Sequence, residues 1–255
     1  MKVEQVSGSV HMVTGTNVNW ALIEEGGSIT VVDAGYPNDR GAVLASIAAI
    51  GRRPEDIEAI LITHAHLDHI GGIPALLEVK QVPVLTGPVE VAHAHRDHLE
   101  QITPLQMLAQ CRHRAGAVWV AQTLRAVLPH AAMAIPQAQA AETGVRLDLP
   151  GGPIAVPTPG HTSGHTAYLL EDEGIVFTGD ALVTAHPLLP GPPHPQLLPA
   201  FFSEDPVEME VSVHALRQLP ADVLVPGHGP VHRGTWHGPE VTAPAQPAAP
   251  RRPRG

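Results

Sequence analysis

The chain reads as an α/β protein, and three observations predict that class. Short runs of β-branched and apolar residues, such as Ala59-Ile60-Leu61-Ile62, recur along the sequence with Gly, Pro or polar residues at their ends. Between them lie segments whose apolar residues keep helical spacing, as Val43, Leu44 and Ile47 do. Several of the runs show no polar alternation, which is the pattern of a strand covered on both faces. A chain of 255 residues is long enough for one sizeable core, and a single domain is the default for α/β sequences of this length.

The elements follow in order. Val10 to Val13, Asn19 to Glu24 and Ile29 to Asp33 carry strand signals, and Glu25-Gly26-Gly27-Ser28 joins the last two as a hairpin turn. A helix fits Asp39 to Ile50, with Asn38 to cap its start and Gly51 to end it. Ala59 to Ile62 is a strand, and Val82 to Thr86 is its parallel neighbour. From Pro88 to about Ala141 the composition turns to Ala, Leu and Gln, with breaks near Gly116 and Pro129, which predicts an inserted pair of helices. Strands resume at Val145 to Leu149, Ile154 to Thr158, Thr166 to Leu170 and Ile175 to Thr178. The stretch Pro187 to Pro199 is too dense in proline to be anything but an extended loop. Asp205-Pro206-Val207-Glu208 then supplies a cap, a first-turn proline and a reciprocal Glu, and Met209, Val213 and Leu216 give that helix a core-facing side. Val223 to Val225 is the last strand. Pro239 to Gly255, rich in Pro and Ala and ending among Arg251, Arg252 and Arg254, cannot bury a core and reads as a disordered tail.

Composition narrows the function. With 44% hydrophobic but only 3% aromatic residues, the core must be built from Ala, Val, Ile and Leu. A formal net charge of -10 argues against a nucleic-acid partner, which needs clustered Lys and Arg. The single cysteine, Cys111, has no partner for an internal disulfide and reads as a buried thiol. No long apolar segment opens the chain, so neither a signal peptide nor a membrane span is expected, and a cytoplasmic protein acting on a small molecule is.

The chemistry concentrates in Thr63-His64-Ala65-His66-Leu67-Asp68-His69, directly after the run Ala59 to Ile62. Three imidazoles and a carboxylate at one strand end make a metal site. His64 and His66, two apart, would point to opposite faces of a regular strand, so the chain must leave strand geometry there for both to reach one ion. Gly71-Gly72 then allow a tight path into the next element. Three later punctuations each end an apolar run with one further ligand candidate: His161 after Thr158-Pro159-Gly160, Asp180 after Thr178-Gly179, and His228 after Val225-Pro226-Gly227. Imidazole with carboxylate suits zinc, and also iron or manganese, and two such cations need an anionic ligand between them. Two cations about 3.5 to 4 Å apart can share a water acidified to a pKa of about 7, which supplies hydroxide as nucleophile.

A second copy of the pattern, His93-Ala94-His95-Arg96-Asp97-His98, matches letter for letter. It lacks a preceding strand and a following Gly-Gly, and it lies in Pro88 to Gln110, which reads as a helix. On a helix, residues two apart face away from one another, so His93 and His95 cannot chelate one ion. The copy is read as a polar helix face, with at most an incidental metal contact through His95 and His98.

From about Val10 to about His232 the chain resembles the metallo-β-lactamase superfamily of metallohydrolases, whose H-x-H-x-D-H motif is followed by a His, an Asp and a His on later loops. The resemblance implies an αββα four-layer sandwich over residues 1–238, with residues 88–141 as an inserted helical lid over the metal cleft; a cover for a sheet edge or a homodimer contact fits those helices equally. It further implies two divalent ions. His64, His66 and His161 would hold the first, Asp68, His69 and His228 the second, and Asp180 would bridge them. Asp68 would also orient the water and relay its proton. Asp33, in Val32-Asp33-Ala34-Gly35, matches an acidic residue that supports ligand histidines from behind, and it also suits a turn. His165 and His186 read as neighbours of ligands rather than ligands, and the hydroxyls of Tyr36 and Tyr168 have no direction legible in the residues.

Within the superfamily, the flavin-linked di-iron reductases carry Glu where this chain has His66. Glyoxalase II enzymes add a C-terminal helical domain, where only the proline-rich tail is expected here. The zinc β-lactamases usually lack an Asp like Asp180, whereas lactonases keep it. The resulting expectation is a dinuclear hydrolase of a lactone, thioester, ester or lactam. A mononuclear iron persulfide dioxygenase is the alternative enzyme, and a metal-dependent binding module the alternative without catalysis.

Overall fold

Two sheets face one another in the computed structural model, whose described residues are 1–234 and Trp236. The tail expected from Pro239 to Gly255 lies outside the described residues. The first sheet runs β1 (Lys2–Gln5), β2 (Val10–Thr14), β3 (Asn19–Glu25), β4 (Ser28–Val32), β5 (Ile57–Leu61), β6 (Val84–Thr86) and β7 (Ala138–Ala140), in space as in sequence. β1 to β4 form an antiparallel meander, and β4 to β7 are parallel. The second sheet sets β8 (Ile154–Pro157), β9 (Thr166–Leu170), β10 (Ile175–Gly179), β11 (Val223–Pro226) and β12 (His232–Arg233) side by side. Only β10 and β11 pair in parallel there.

The pleat sorts side chains between layers. Along β3, Ala21 and Ile23 point into the space between the sheets, where they meet Tyr168 and Phe177 of the second sheet. Trp20 and Leu22 point outward, against α1 (Arg40–Ala49) and the segment that carries α2 (Leu67–Ile70) and α3 (Ile73–Val79). The run after Glu58 lacks alternation for the expected reason: Ile60 packs outward and Leu61 inward, and both are fully buried. Each such side chain contributes about 1.5–3 kcal/mol of burial. On the far side, α7 (Pro206–Leu216) lays Met209, Val213 and Leu216 against Ala167, Val176 and Leu224. The order is helix, sheet, sheet, helix, the αββα sandwich. No helix among the described residues is long and apolar enough to cross a membrane.

Several local expectations are corrected. A single 3₁₀ turn occupies Pro37–Asp39 and α1 begins only at Arg40, so Asn38 caps nothing. Its amide donates instead to the carbonyls of Arg125 (2.5 Å) and Leu128 (3.1 Å). Val145 to Leu149 forms no strand, only an isolated bridge from Arg146 to Ile154. Between residues 88 and 141 there are three helices rather than two: α4 (Glu90–His95), α5 (Pro104–Gln110) and α6 (Arg114–Val127). Gly116 sits inside α6 instead of breaking it, and its place there answers to close packing, since a Cβ would lie 2.0 Å from the carbonyl oxygen of Gln110. Cys111, at the end of the largely exposed α5, is exposed rather than buried.

Gly71 has an ordinary helical backbone, φ -62, so conformational freedom is not what its place requires. A Cβ would lie 2.1 Å from the Pro37 nitrogen, and the requirement is close approach of two backbones.

Candidate metal centre

β4, β5, β8, β10 and β11 all end at one rim of the sandwich, and the seven residues singled out by the motif stand just beyond those ends or on α2. β5 stops at Leu61, and the chain leaves strand geometry before His64 and His66, as two residues aimed at one point require. His66 precedes α2, which carries Asp68 and His69. His161 follows β8, Asp180 follows β10 and His228 follows β11.

Three imidazole nitrogens converge. His64 Nε2 stands 3.0 Å from His66 Nδ1, and His161 Nε2 stands 3.1 Å from each of them. Beside this trio, Asp180 Oδ2 is 3.5 Å from His161 Nε2 and 3.1 Å from His228 Nε2, while Oδ1 is 3.4 Å from His69 Nε2. Asp68 Oδ2 closes the second group at 3.6 Å from His228 Nε2 and 3.9 Å from His69 Nε2. His64, His66 and His161 could hold one ion, and Asp68, His69 and His228 another, with Asp180 between the two groups.

The outward ring nitrogens set the tautomers. His69 Nδ1 donates to Asp33 Oδ2 at 2.8 Å, His66 Nε2 to the Glu100 carbonyl at 2.5 Å, and His228 Nδ1 to the Asn17 carbonyl at 2.5 Å. His64 Nδ1 faces Thr63 Oγ1 at 3.1 Å, and that hydroxyl in turn donates to Asp33 Oδ2 at 2.8 Å. With those protons committed, the inward nitrogens of His64 and His66 present lone pairs to the same point as His161 Nε2, an arrangement that suits a cation among them. His69 Nε2 and Asp180 Oδ1 are buried without a hydrogen-bond partner. The residues present therefore fit divalent ions.

Charge agrees with geometry. Burial, aided by the neighbouring histidines, pushes His64 well below the ordinary histidine range; burial also pushes His161 well below it. Both are thus neutral, the ligating form. In the second group burial opposes charge, yet Asp180, Asp33 and Asp68 raise His69 well above its usual value. Against the upward push of burial, His228 and His69 hold the Asp180 carboxyl well below the usual range. Positive charge is favoured among these carboxylates.

A further layer, missed in the sequence reading, braces the His64–His66 loop. Glu90, fully buried on α4, accepts from Ala65 N (2.7 Å), His93 Nδ1 (2.7 Å) and Thr162 Oγ1 (2.8 Å). Arg96 Nη1 donates to the Ala65 carbonyl at 2.8 Å, and Glu100 Oε2 accepts from Ser163 N at 2.7 Å. The second motif copy is thus not a polar helix face. α4 ends at His95, His93 is fully buried and His95 Nε2 donates to the Ala138 carbonyl at 2.9 Å. The usable signal was the Glu90–His93 spacing inside an otherwise apolar turn, an i, i+3 pair on one face.

His165 accepts from Asp180 N at 3.1 Å and pairs with Thr158 Oγ1 at 2.8 Å, so it holds the Asp180 loop. Tyr168 donates to the Ile62 carbonyl between the sheets and faces away from the centre, whereas Tyr36 lines the cleft above it. That cleft measures about 260 Å³ and is walled by α5, α6 and the loop before α7, with His186 and Asp68 near its floor.

A model of the metallo-beta-lactamase superfamily matches residues 13–228. The probable metallo-hydrolase YflN of Bacillus subtilis is 26% identical over 239 residues, which cover 88% of this chain and 85% of that one. A hydroxyacylglutathione hydrolase of Methylobacillus flagellatus is 28% identical over 212 residues, 82% of this chain but only 60% of that enzyme's length. Among solved structures, a metallo-beta-lactamase with a HARLDQ motif from Cronobacter sakazakii superposes with a TM-score of 0.63 at 21% identity, covering 90% of this chain and 78% of that one. At that identity the likeness concerns the fold.

Proposed function

The chain belongs to the metallo-beta-lactamase superfamily, and from that premise we propose that it is a dinuclear metal-dependent hydrolase of a small ester-like carbonyl compound: a lactone, thioester, ester or lactam. In this reading His64, His66 and His161 hold the first ion, Asp68, His69 and His228 the second, and the Asp180 carboxylate bridges them. The observation that carries it is the placement of Asp180, whose two oxygens reach histidines of both groups at 3.1 to 3.5 Å. Zinc suits these donors, with iron and manganese as alternatives.

Bound divalent ions would supply Lewis acidity and lower the pKa of a water from 15.7 to about 7. The residues do the rest. Asp33 and the carbonyls of Glu100 and Asn17 keep the ligand nitrogens bare and aimed inward. Asp68 is 18% exposed where Asp180 is only 4%, so it is the carboxylate open to the cleft. It can orient the attacking water, take its proton and deliver it to the leaving atom. Burial, reinforced by Asp68, keeps the Tyr36 hydroxyl protonated and able to donate to a substrate oxygen in the cleft.

The test is elemental analysis of protein purified without added metal, together with a hydrolysis screen over lactones, esters, thioesters and β-lactams. About two ions per chain with turnover is the expected result. One iron per chain, with oxygen consumption and no hydrolysis, would overturn the reading in favour of a persulfide dioxygenase.

A further inference from the structure

The walls of the cleft carry information about substrate that the centre does not. Leu67, Met107, Trp119, Leu124, Leu198 and Phe202 are among the apolar side chains that line it, and no Lys or Arg lines it among the described residues. Among the described residues that line it, the carboxylates are Asp68 and Asp180, at its floor beside the histidines. Arg96, the arginine that reaches the histidine loop, donates to the carbonyls of Ala65, His93 and Met133 and is not part of the lining.

We propose that this cleft takes the acyl part of the substrate as an uncharged, apolar group and rejects acyl compounds that carry a second carboxylate. The inference rests on the hydrolase reading above and narrows it. The reacting carbonyl must sit at the histidine cluster, so any other part of the acyl group lies against these walls. An alkyl chain there leaves water for apolar surface, which favours binding in proportion to its length. A carboxylate set against Met107, Leu124 or Phe202, away from the metal centre, would lose its hydration with no Lys or Arg among the described lining residues to replace it. The chain's formal charge of -10 adds no long-range attraction for an anion.

The experiment compares kcat/KM for 4-nitrophenyl esters from acetate to hexanoate with that for the 4-nitrophenyl half-ester of adipate, which has the carbon count of hexanoate and a terminal carboxylate. The expected result is a rise of about fourfold per methylene along the alkyl series. The adipate half-ester should fall on the order of 100-fold below hexanoate. In the Leu124→Lys variant, whose site is 44% exposed and tolerant of a charged head group, that gap should narrow at least about tenfold. A flat alkyl series, or adipate equal to hexanoate in the unaltered protein, would overturn the proposal.

Binding without turnover separates this inference from the hydrolase reading. N-phenylhexanamide and its ω-carboxylate are titrated into chelator-treated protein while the emission of Trp119 is followed, with Trp119→Phe to identify the signal. Preference for the neutral amide with no lactone, ester, thioester or β-lactam hydrolysed would keep the cleft inference and remove the hydrolase reading. Equal binding of the two, with esters hydrolysed, would do the reverse.

Discussion

At single residues, the centre depends on which atoms are left without a partner. Asp180 enters it backed by His165 and faced by Gly227, whose missing side chain makes the room: a Cβ there would lie 2.3 Å from Asp180 Oδ1 and 2.8 Å from His69 Cε1. Both neighbours are buried and held, so Gly227→Ala must displace one of them. We expect that variant to keep its circular dichroism spectrum and to lose at least one ion per chain by elemental analysis; full occupancy would show that the Asp180 carboxylate is not a ligand. Asp180→Ala removes the anion between the two groups, and the expected loss of kcat/KM is about 100-fold or more. His95→Ala is the matched control from the second motif copy. Its Nε2 meets only the Ala138 carbonyl, so metal content and rate should stay as they were, with about 1 kcal/mol lost from stability in urea unfolding. Metal lost from His95→Ala and kept in Asp180→Ala would mean that the functional copy is the second one.

Among the elements, α4 and the turn after it give the helical segment its hold on the centre. Glu90 ties Ala65, His93 and Thr162 together, and thereby sets the backbone on either side of His64, His66 and His161. Glu90→Ala would leave a buried N–H of the metal loop unpaired, and we expect the first ion to bind about 10- to 100-fold more weakly in chelator competition. Glu90→Gln retains an acceptor for Ala65 and should recover most of that affinity; equal loss in both variants would point to a packing role alone. This brace also marks where reading the sequence stops. Strands β4, β5 and β9 were legible because their apolar runs are covered on both faces, and the seven motif residues could be read as one candidate cluster because four follow β5 on one segment and three follow the ends of β8, β10 and β11 singly. The strand β7 was not, since Ala138-Gln139-Ala140 has no strand signature and owes its geometry to pairing with β6. Val145 to Leu149 has the opposite character: an apolar alternation that meets the β8 edge only through an isolated bridge, Arg146 to Ile154, and forms no ladder. The second motif copy, which has Arg96 where the first has Leu67, was misread as a polar face because its period gives no sign of burial: His93 turns inward to the Glu90 carboxylate and His95 to the Ala138 carbonyl.

For the whole molecule, the question is whether the proposed ions hold the sandwich together or only fill a rim. The core lies in separate clusters: one between the sheets, one under α1 and α3, and one under α7. Their members, such as Leu22, Leu61 and Leu224, come from strands whose ladders are complete without the centre. Metal should therefore add stability by mass action without being required for folding, unlike a small zinc domain that has no core of its own. Ion at about 1,000 times its dissociation constant contributes about 4 kcal/mol. For a chain of this size that shifts the midpoint by about 2–4 °C per kcal/mol, or about 8–16 °C for one ion. Chelation should therefore leave the far-ultraviolet circular dichroism intact at 25 °C and lower a still cooperative thermal transition by that interval. Collapse of the spectrum on chelation would show instead that the charge packed into Asp33, Asp68 and Asp180 cannot be tolerated without cations, and that the rim, rather than the core, limits the stability of this fold.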